Sequence, residues 1–326
     1  MDAAVAMKRN SRWDTAPVRD GRDAPRVACI TARDIERIFM PLMRYRYLPV
    51  DYVHALGGGG LEYLVNRLNL LSRTPNLYVR RPLEQRANAA ANYRPLVYEL
   101  ASRGWTLMQE RGFERRQVRP PASFAHELMT CQIMASFELG ARAHGAQLIT
   151  WDDILQSKNL PEATRQSPKP WHIPITLAMG GERISTHVTA DGTPFGIRRE
   201  RDGHPSYFFC PGIEADCGTE PIDASDFARS SIYKKFALYL AIEAQGIYRS
   251  HFGFPNLYVP FVTTTKARMK SMMALLERMT KGAGSKAILF RTFPTTISVE
   301  KSPPSGRMLE DGWERVSHPS FNFLTS

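Results

Sequence analysis

The stretch 208–221 reads FFCPGIEADCGTEP, with Glu214 and Asp216 at alternate positions directly after an aromatic and apolar run. Residues i and i+2 of an extended strand share a face, so both carboxylates point the same way. A third acid, Asp191, follows the strand-like run ISTHVTA. Carboxylates gathered at one place repel each other, and such a cluster persists when a divalent cation neutralises it. Oxygen donors suit Mg2+ or Mn2+. Asp191, Glu214 and Asp216 are therefore the candidate metal ligands. Lys234 and Lys235 open the next helical run, YKKFALYLAIEAQ, within reach of the same sheet edge. A cation that polarises a phosphate and activates water, with a lysine steadying the developing charge, makes phosphodiester hydrolysis the natural reaction. A blander alternative stands beside it: Asp191-Gly192 also suits a plain turn, and DCGTEP a capped loop.

Other constellations carry less. Glu127 and Glu138 lie 11 residues apart on one side of a helix and read as solvated acids, with Glu127 a further candidate above the metal site. His126 reads as a satisfied helix histidine. Ser230 and Ser231, with His172, His187 and His204 scattered, lack a nucleophile elbow. Tyr233, Tyr239 and Tyr248 have helical spacing and no His-rich metal cluster beside them, which makes them core residues before covalent nucleophiles. The glycines 57–60 precede no Gly-Lys-Ser/Thr and read as a flexible turn rather than a phosphate loop. Cys29, Cys131, Cys210 and Cys217 form no CxxC pair and read as reduced packing thiols.

The elements that must position these residues follow from periodicity. TARDIERIFMPLMRYRYL opens on the cap Thr31 and repeats apolar residues at helical spacing. PVDYVHAL and LEYLVNRLNLLSRT give two more helices. NLYVRRPLE and RPLVYELASRGWTLM read as short strands around a polar loop, the second passing into a turn. Helix, helix, helix and a two-stranded ribbon is the order of a winged helix-turn-helix. Arg67 and Arg73 then fall on or beside its recognition helix, and Arg80, Arg81 and Arg86 on its wing. Beyond the connector ERRQVRPPAS come a helix from Ser123, a strand in AQLITWDDIL and a proline-rich excursion over 156–174. An antiparallel pair (RISTHVTADGTPFGIRRE and PSYFFCPGIEADCGTE), a helix, a strand LYVPFVTTT, a helix and a last strand KAILFRTF complete a mixed α/β domain.

Charge placement supports a nucleic-acid partner. The 326-residue chain has net charge +11, and residues 1–125 hold 21 Lys and Arg against 12 Asp and Glu, with Lys8 the single lysine. Arginine offers a planar fork suited to phosphate. No apolar run approaches the roughly 18 residues of a membrane span, and MDAAVAMKRNSRWD lacks a signal-peptide core. The expected compartment is the cytoplasm.

These residues carry a family likeness. NRLNLL and YELASRGWTLM, His126, ADG with Asp191, IEADCGTEP, and YKKFALY with Lys235 four residues before Tyr239 occur in one order. With them the chain resembles, over 31–280, the replication-relaxation family of plasmids and mobile elements. The resemblance implies a winged helix followed by a restriction-endonuclease-like, PD-(D/E)xK domain of order αβββαβ. It implies metal ligation by Asp191 and Glu214 and a positive charge from Lys235 or Lys234. Asp216 stands where the nuclease motif has its lysine, and Ala190 where it has a proline.

The expected layout is a flexible basic arm over 1–28, a winged-helix domain over 29–115, a nuclease-like domain over 122–300 and a tail over 301–326, in which Trp313 docks onto the fold. The expected function is DNA binding with an Mg2+- or Mn2+-dependent nuclease-like site; the alternative is a non-catalytic replication or transfer control factor on a degenerate nuclease fold. The expected partners are double-stranded DNA and, as a homodimer, a second copy of the chain, with no membrane.

Overall fold

The structure is a computed structural model that describes residues 26–85, 96–113, 123–179, 182–201, 203–223, 230–293 and 302–326. The fold is mixed α/β and divides into two compact units, Met1–Phe124 and Ala125–Ser326. The expected arm over 1–28 lies outside the described residues except for 26–28, and Arg86 lies outside them altogether. Among the described residues no helix is long and apolar enough to cross a membrane.

In the first unit, helix α1 runs over 32–45. Thr31 caps it, its hydroxyl accepting from the Asp34 N–H while the Asp34 carboxylate accepts from the Thr31 N–H. The middle of α1, Ile35–Phe39, is π-helical, with the Met40 N–H bonded to Ile35. The wider turn falls where Pro41 has no N–H to offer the Arg37 carbonyl. That carbonyl faces Gly57 so closely that a Cβ there would lie 2.4 Å from it. Next come β1 (Leu48–Pro49), α2 (Val50–Gly57), α3 (Leu61–Leu71), β2 (Val79–Arg80), β3 (Val97–Leu100) and α4 (Ser102–Glu110). The sheet order is β1-β3-β2, antiparallel, with Leu48 opposite Tyr98 and Val79 opposite Leu100. Ile38, Phe39, Leu42, Val53, Leu64, Leu68 and Met108 are buried inside these elements. The expected turn after β3 is thus a nine-residue helix, α4. Its Gly104 lies against the Tyr78 carbonyl, where a Cβ would approach to 2.2 Å.

The second unit opens with α5 (Phe124–Ala143) and β4 (Gln147–Ile149). The sequence expectation of one strand through WDDIL fails here. Thr150 and Asp153 form a capping box, and Trp151–Gln156 is helix α6. A short helix α7 (Glu162–Arg165) lies within the expected excursion over 156–174, and β5 (Ile173–Met179), which begins at its end, forms a hairpin with β6 (Glu182–Val188). Ile173, Ile175, Leu177 and Val188 turn one face of the hairpin into the core. The run 182–200 is therefore two strands. β7 (Phe195–Arg201) belongs to a different sheet, β4-β7-β8, in which β8 is His204–Cys210.

After β8 the chain continues into β9 (Glu214–Asp216), α8 (Ile232–Gln245), α9 (Ile247–Phe252), β10 (Val259–Thr263), α10 (Lys266–Met279), β11 (Ile288–Thr292) and α11 (Arg307–Glu310). Strands β9, β10 and β11 pair in parallel in the order β11-β10-β9. The segment 302–326 packs onto this unit. Glu314 bridges to Phe290, and Trp313 is fully buried with Phe137, Phe323 and the Met308 carbonyl as partners.

Candidate functional site

The site forms where the chain between β6 and β7 lies along the start of β9. The N–H groups of Asp191 and Gly192 both donate to the Ile213 carbonyl, at 2.9 and 3.2 Å. Two glycines allow this approach. A Cβ on Gly192 would sit 2.8 Å from Ile213 Cγ1, and one on Gly212 would sit 2.4 Å from the Gly192 carbonyl oxygen. Held there, Asp191 accepts through Oδ2 from the Ala215 N–H at 3.0 Å.

Glu214 comes from β9 and Lys235 from the first turns of α8, whose N-cap is the fully buried Ser231. Lys235 Nζ lies 2.8 Å from Glu214 Oε2, 3.0 Å from Glu220 Oε2 and 3.6 Å from Asp191 Oδ2. Tyr239, one turn further along the same face of α8, donates to Glu214 Oε1 at 2.5 Å. From α5, His126 donates through Nε2 to the Ala215 carbonyl (3.0 Å) and lies 3.2 Å from Asp191 Oδ2. Five chain segments thus meet around one ammonium. Glu214 is 2% exposed, while the side chains of His126, Lys235 and Glu220 keep 24%, 19% and 26% of their surface, so the centre opens to solvent on one side.

Electrostatics separates the two expected carboxylates. Burial pushes the Glu214 carboxyl up to about 7, against the pull of Lys235 and with Asp191 adding to the rise. Burial also opposes ionisation of Asp191, but the hydrogen bond with His126 and the charge of Lys235 outweigh it, and Asp191 is lowered to about 2. The bond to Asp191 raises the His126 value in turn. Burial alone would lower Lys235; Glu214, Asp191 and Glu220 instead hold its proton more tightly than usual.

Not every expected residue joins the cluster. Asp216 shares its strand with Glu214 but is committed elsewhere. Arg268 of α10 grips it through Nε (2.5 Å) and Nη2 (2.8 Å), Thr263 donates to it at 2.6 Å, and the Gly218 N–H donates at 3.1 Å. The oxygens of Asp216, expected as a metal ligand, are thus occupied by the Arg268 fork from α10 and by Thr263 of the neighbouring parallel strand β10. The ion pairs with Asp191, Glu214 and Glu220 are made by Lys235, and Lys234 supplies none of them. Sequence reading missed Glu220, which lies past the strand in DCGTEP, read His126 as a satisfied helix histidine and took Tyr239 for a core residue. Four-residue spacing of Lys235 and Tyr239 was the available signal for the latter.

Among the described residues no three His, Cys, Asp or Glu side chains are already arranged to hold a metal ion. The donor set nonetheless has the right chemistry for Mg2+ or Mn2+. Glu214 Oε2 and Glu220 Oε2 are buried carboxylate oxygens turned toward the Lys235 ammonium.

The four described arginines among the five expected at DNA divide sharply. Arg67 of α3 is bound to Asp34 of α1 at 2.7 and 2.6 Å and to the Cys29 carbonyl at 2.5 Å, leaving 13% of its side chain exposed. It ties α3 to α1. Arg81 is buried. Arg73 is half-buried, and Arg80 is exposed while paired with Glu99 at 2.9 Å. Comparison of the chain with protein-family models, with curated proteins and with solved structures finds no match.

Proposed function

We propose that the chain is a DNA-binding protein of a plasmid or other mobile element, with a divalent-metal-dependent site for phosphodiester hydrolysis in its second unit. In this reading 29–115 is a winged-helix module, and 122–300 is a PD-(D/E)xK-like domain of the replication-relaxation kind. One observation carries it: Asp191, Glu214 and Lys235, from three separate segments, share one partly open centre. The β1-β3-β2 sheet behind three helices and the arginine-rich composition of 1–125 support the DNA-binding half.

Asp191, Glu214 and Glu220 would hold Mg2+ or Mn2+, which when bound would supply Lewis acidity toward a phosphate and toward water. The chain's own groups do the rest. Lys235 stays protonated and meets negative charge as it develops on the phosphoryl oxygens. His126 fixes the Asp191 carboxylate from the other side, and Tyr239 fixes Glu214. Asp216 and Arg268 brace the end of β9 and take no part in the chemistry.

A second reading is a non-catalytic replication or transfer control factor, favoured by the ammonium of Lys235 already neutralising the carboxylates. Supercoiled plasmid incubated with the purified chain and Mg2+ or Mn2+ decides between them. Nicking or cutting that disappears in Asp191→Asn and Glu214→Gln supports the enzyme. DNA binding with intact plasmid in both metals leaves the control factor.

A further inference from the structure

We infer that Lys235 is the built-in occupant of the cation position, so that a divalent ion enters only by displacing its ammonium. The inference rests on the site reading above and concerns how that site is loaded. Three carboxylates converge on Nζ at 2.8, 3.0 and 3.6 Å, which is where an ion shared by them would have to sit. Two of the oxygens, Glu214 Oε2 and Glu220 Oε2, are buried, and the Lys235 ammonium is the cation they meet.

The rest of the shell is tied down without the ammonium. Asp191 keeps the Ala215 N–H and His126, Glu214 keeps the Tyr239 hydroxyl, and Glu220 keeps the Ser230 hydroxyl at 2.6 Å. Lys235 is carried on a flexible four-carbon stem from α8, and 19% of its side chain is exposed. Swinging it out would vacate the position and carry the positive charge toward the open side, where a phosphate backbone would approach. The arrangement makes the metal-free protein self-sufficient: the lysine offsets carboxylate repulsion that would otherwise require an ion for folding.

Mn2+ binding to the full chain, measured by titration calorimetry on wild type, Lys235→Met and Lys235→Arg, tests this. Lys235→Met is expected to bind Mn2+ at least about tenfold more tightly than wild type, since no ammonium then has to be displaced from the position the ion takes. Lys235→Arg, which restores a cation, is expected to bind no better than wild type. The melting temperature of Lys235→Met is expected to fall in EDTA and to rise with Mn2+ by more than that of wild type. Should Lys235→Met not fold, the wild-type Lys235 ammonium is followed by 15N NMR. Its caged signal is expected to be lost as Mg2+ is added. Equal Mn2+ affinity in wild type and Lys235→Met, no Mn2+ binding in either, or an ammonium signal unmoved by excess Mg2+ overturns the inference. Failure here is separable from failure of the enzymatic reading. Plasmid cutting with equal affinities leaves the nuclease intact, while tighter binding in Lys235→Met with uncut plasmid removes the nuclease and keeps the displacement.

Discussion

Replacing Arg67 with alanine separates a structural arginine from a DNA-reading one. Asp34 is 2% exposed and receives four donors: Arg67 Nε and Nη2 at 2.7 and 2.6 Å, and the Thr31 N–H and hydroxyl, both at 2.8 Å. Arg67→Ala leaves a buried carboxylate with only the Thr31 pair. Breaking a buried ion pair costs about 3–5 kcal/mol, and the surviving Thr31 bonds put the expected loss near the lower figure, about 3 kcal/mol. Chemical denaturation of the full chain reads that loss. A double-mutant cycle with Asp34→Ala is expected to show a total well below the sum of the single changes. The pH dependence has a definite sign. Burial opposes the Asp34 charge, but Arg67 and Thr31 outweigh it and lower the group below its usual value. Its stabilisation is therefore present above the unfolded-state value and lost as pH falls through the lowered folded one; in Arg67→Ala that loss starts at higher pH. DNA affinity of the folded variant, and its slope against log salt, are expected to stay at wild-type values. Unchanged stability together with a salt slope shallower by about 0.9, the contribution of one phosphate contact, would refute the clamp and return Arg67 to the DNA.

Two further outcomes are expected. The raised Glu214 value makes the folded chain bind a proton that the unfolded chain releases, so this residue's contribution falls as pH rises from the ordinary carboxyl range to about 7. Glu214→Gln should flatten the stability–pH curve over that interval, whereas Tyr239→Phe, which deletes the donor to Oε1, should steepen it and cost about 1–3 kcal/mol. Trp313→Ala is expected to destabilise the second unit by about 3–5 kcal/mol in urea denaturation, because the indole is fully buried against Phe137 and Phe323. A loss under 1 kcal/mol would show the tail to be merely apposed.

Periodicity made the helices of the first unit readable, and α1, α2 and α3 fall where apolar spacing puts them. Local signals were also present where the expectation failed. Thr150 with Asp153 three residues on is a capping signature that outweighs the β-like run before it, and Ile173, Ile175 and Leu177 alternate as a strand should. What the sequence could not carry is partnership at a distance. Arg67 finds Asp34 33 residues away, and Asp216 finds Arg268 52 residues away. Each turns a residue type suited to chemistry into a brace. The expectation of Asp191 and Glu214 together rested on both acids following extended runs; in the structure Asp191 lies past β6, Glu214 opens β9, a strand separate from β8, and both reach Lys235. Glu220 was not legible, since it belongs to a loop and reaches the centre only through the ammonium of Lys235.

The placement of Trp313, Phe321 and Phe323 has a consequence for how the chain is made. Their rings fill the space between Phe137 of α5, Phe208 of β8 and Tyr258 beside β10, residues translated long before them. During vectorial synthesis this aromatic hollow stays unfilled until residues 313–323 leave the ribosome. A nascent chain stalled or shortened before residue 313 would display a sticky apolar surface to chaperones and proteases, so quality control of the second unit waits on these three rings.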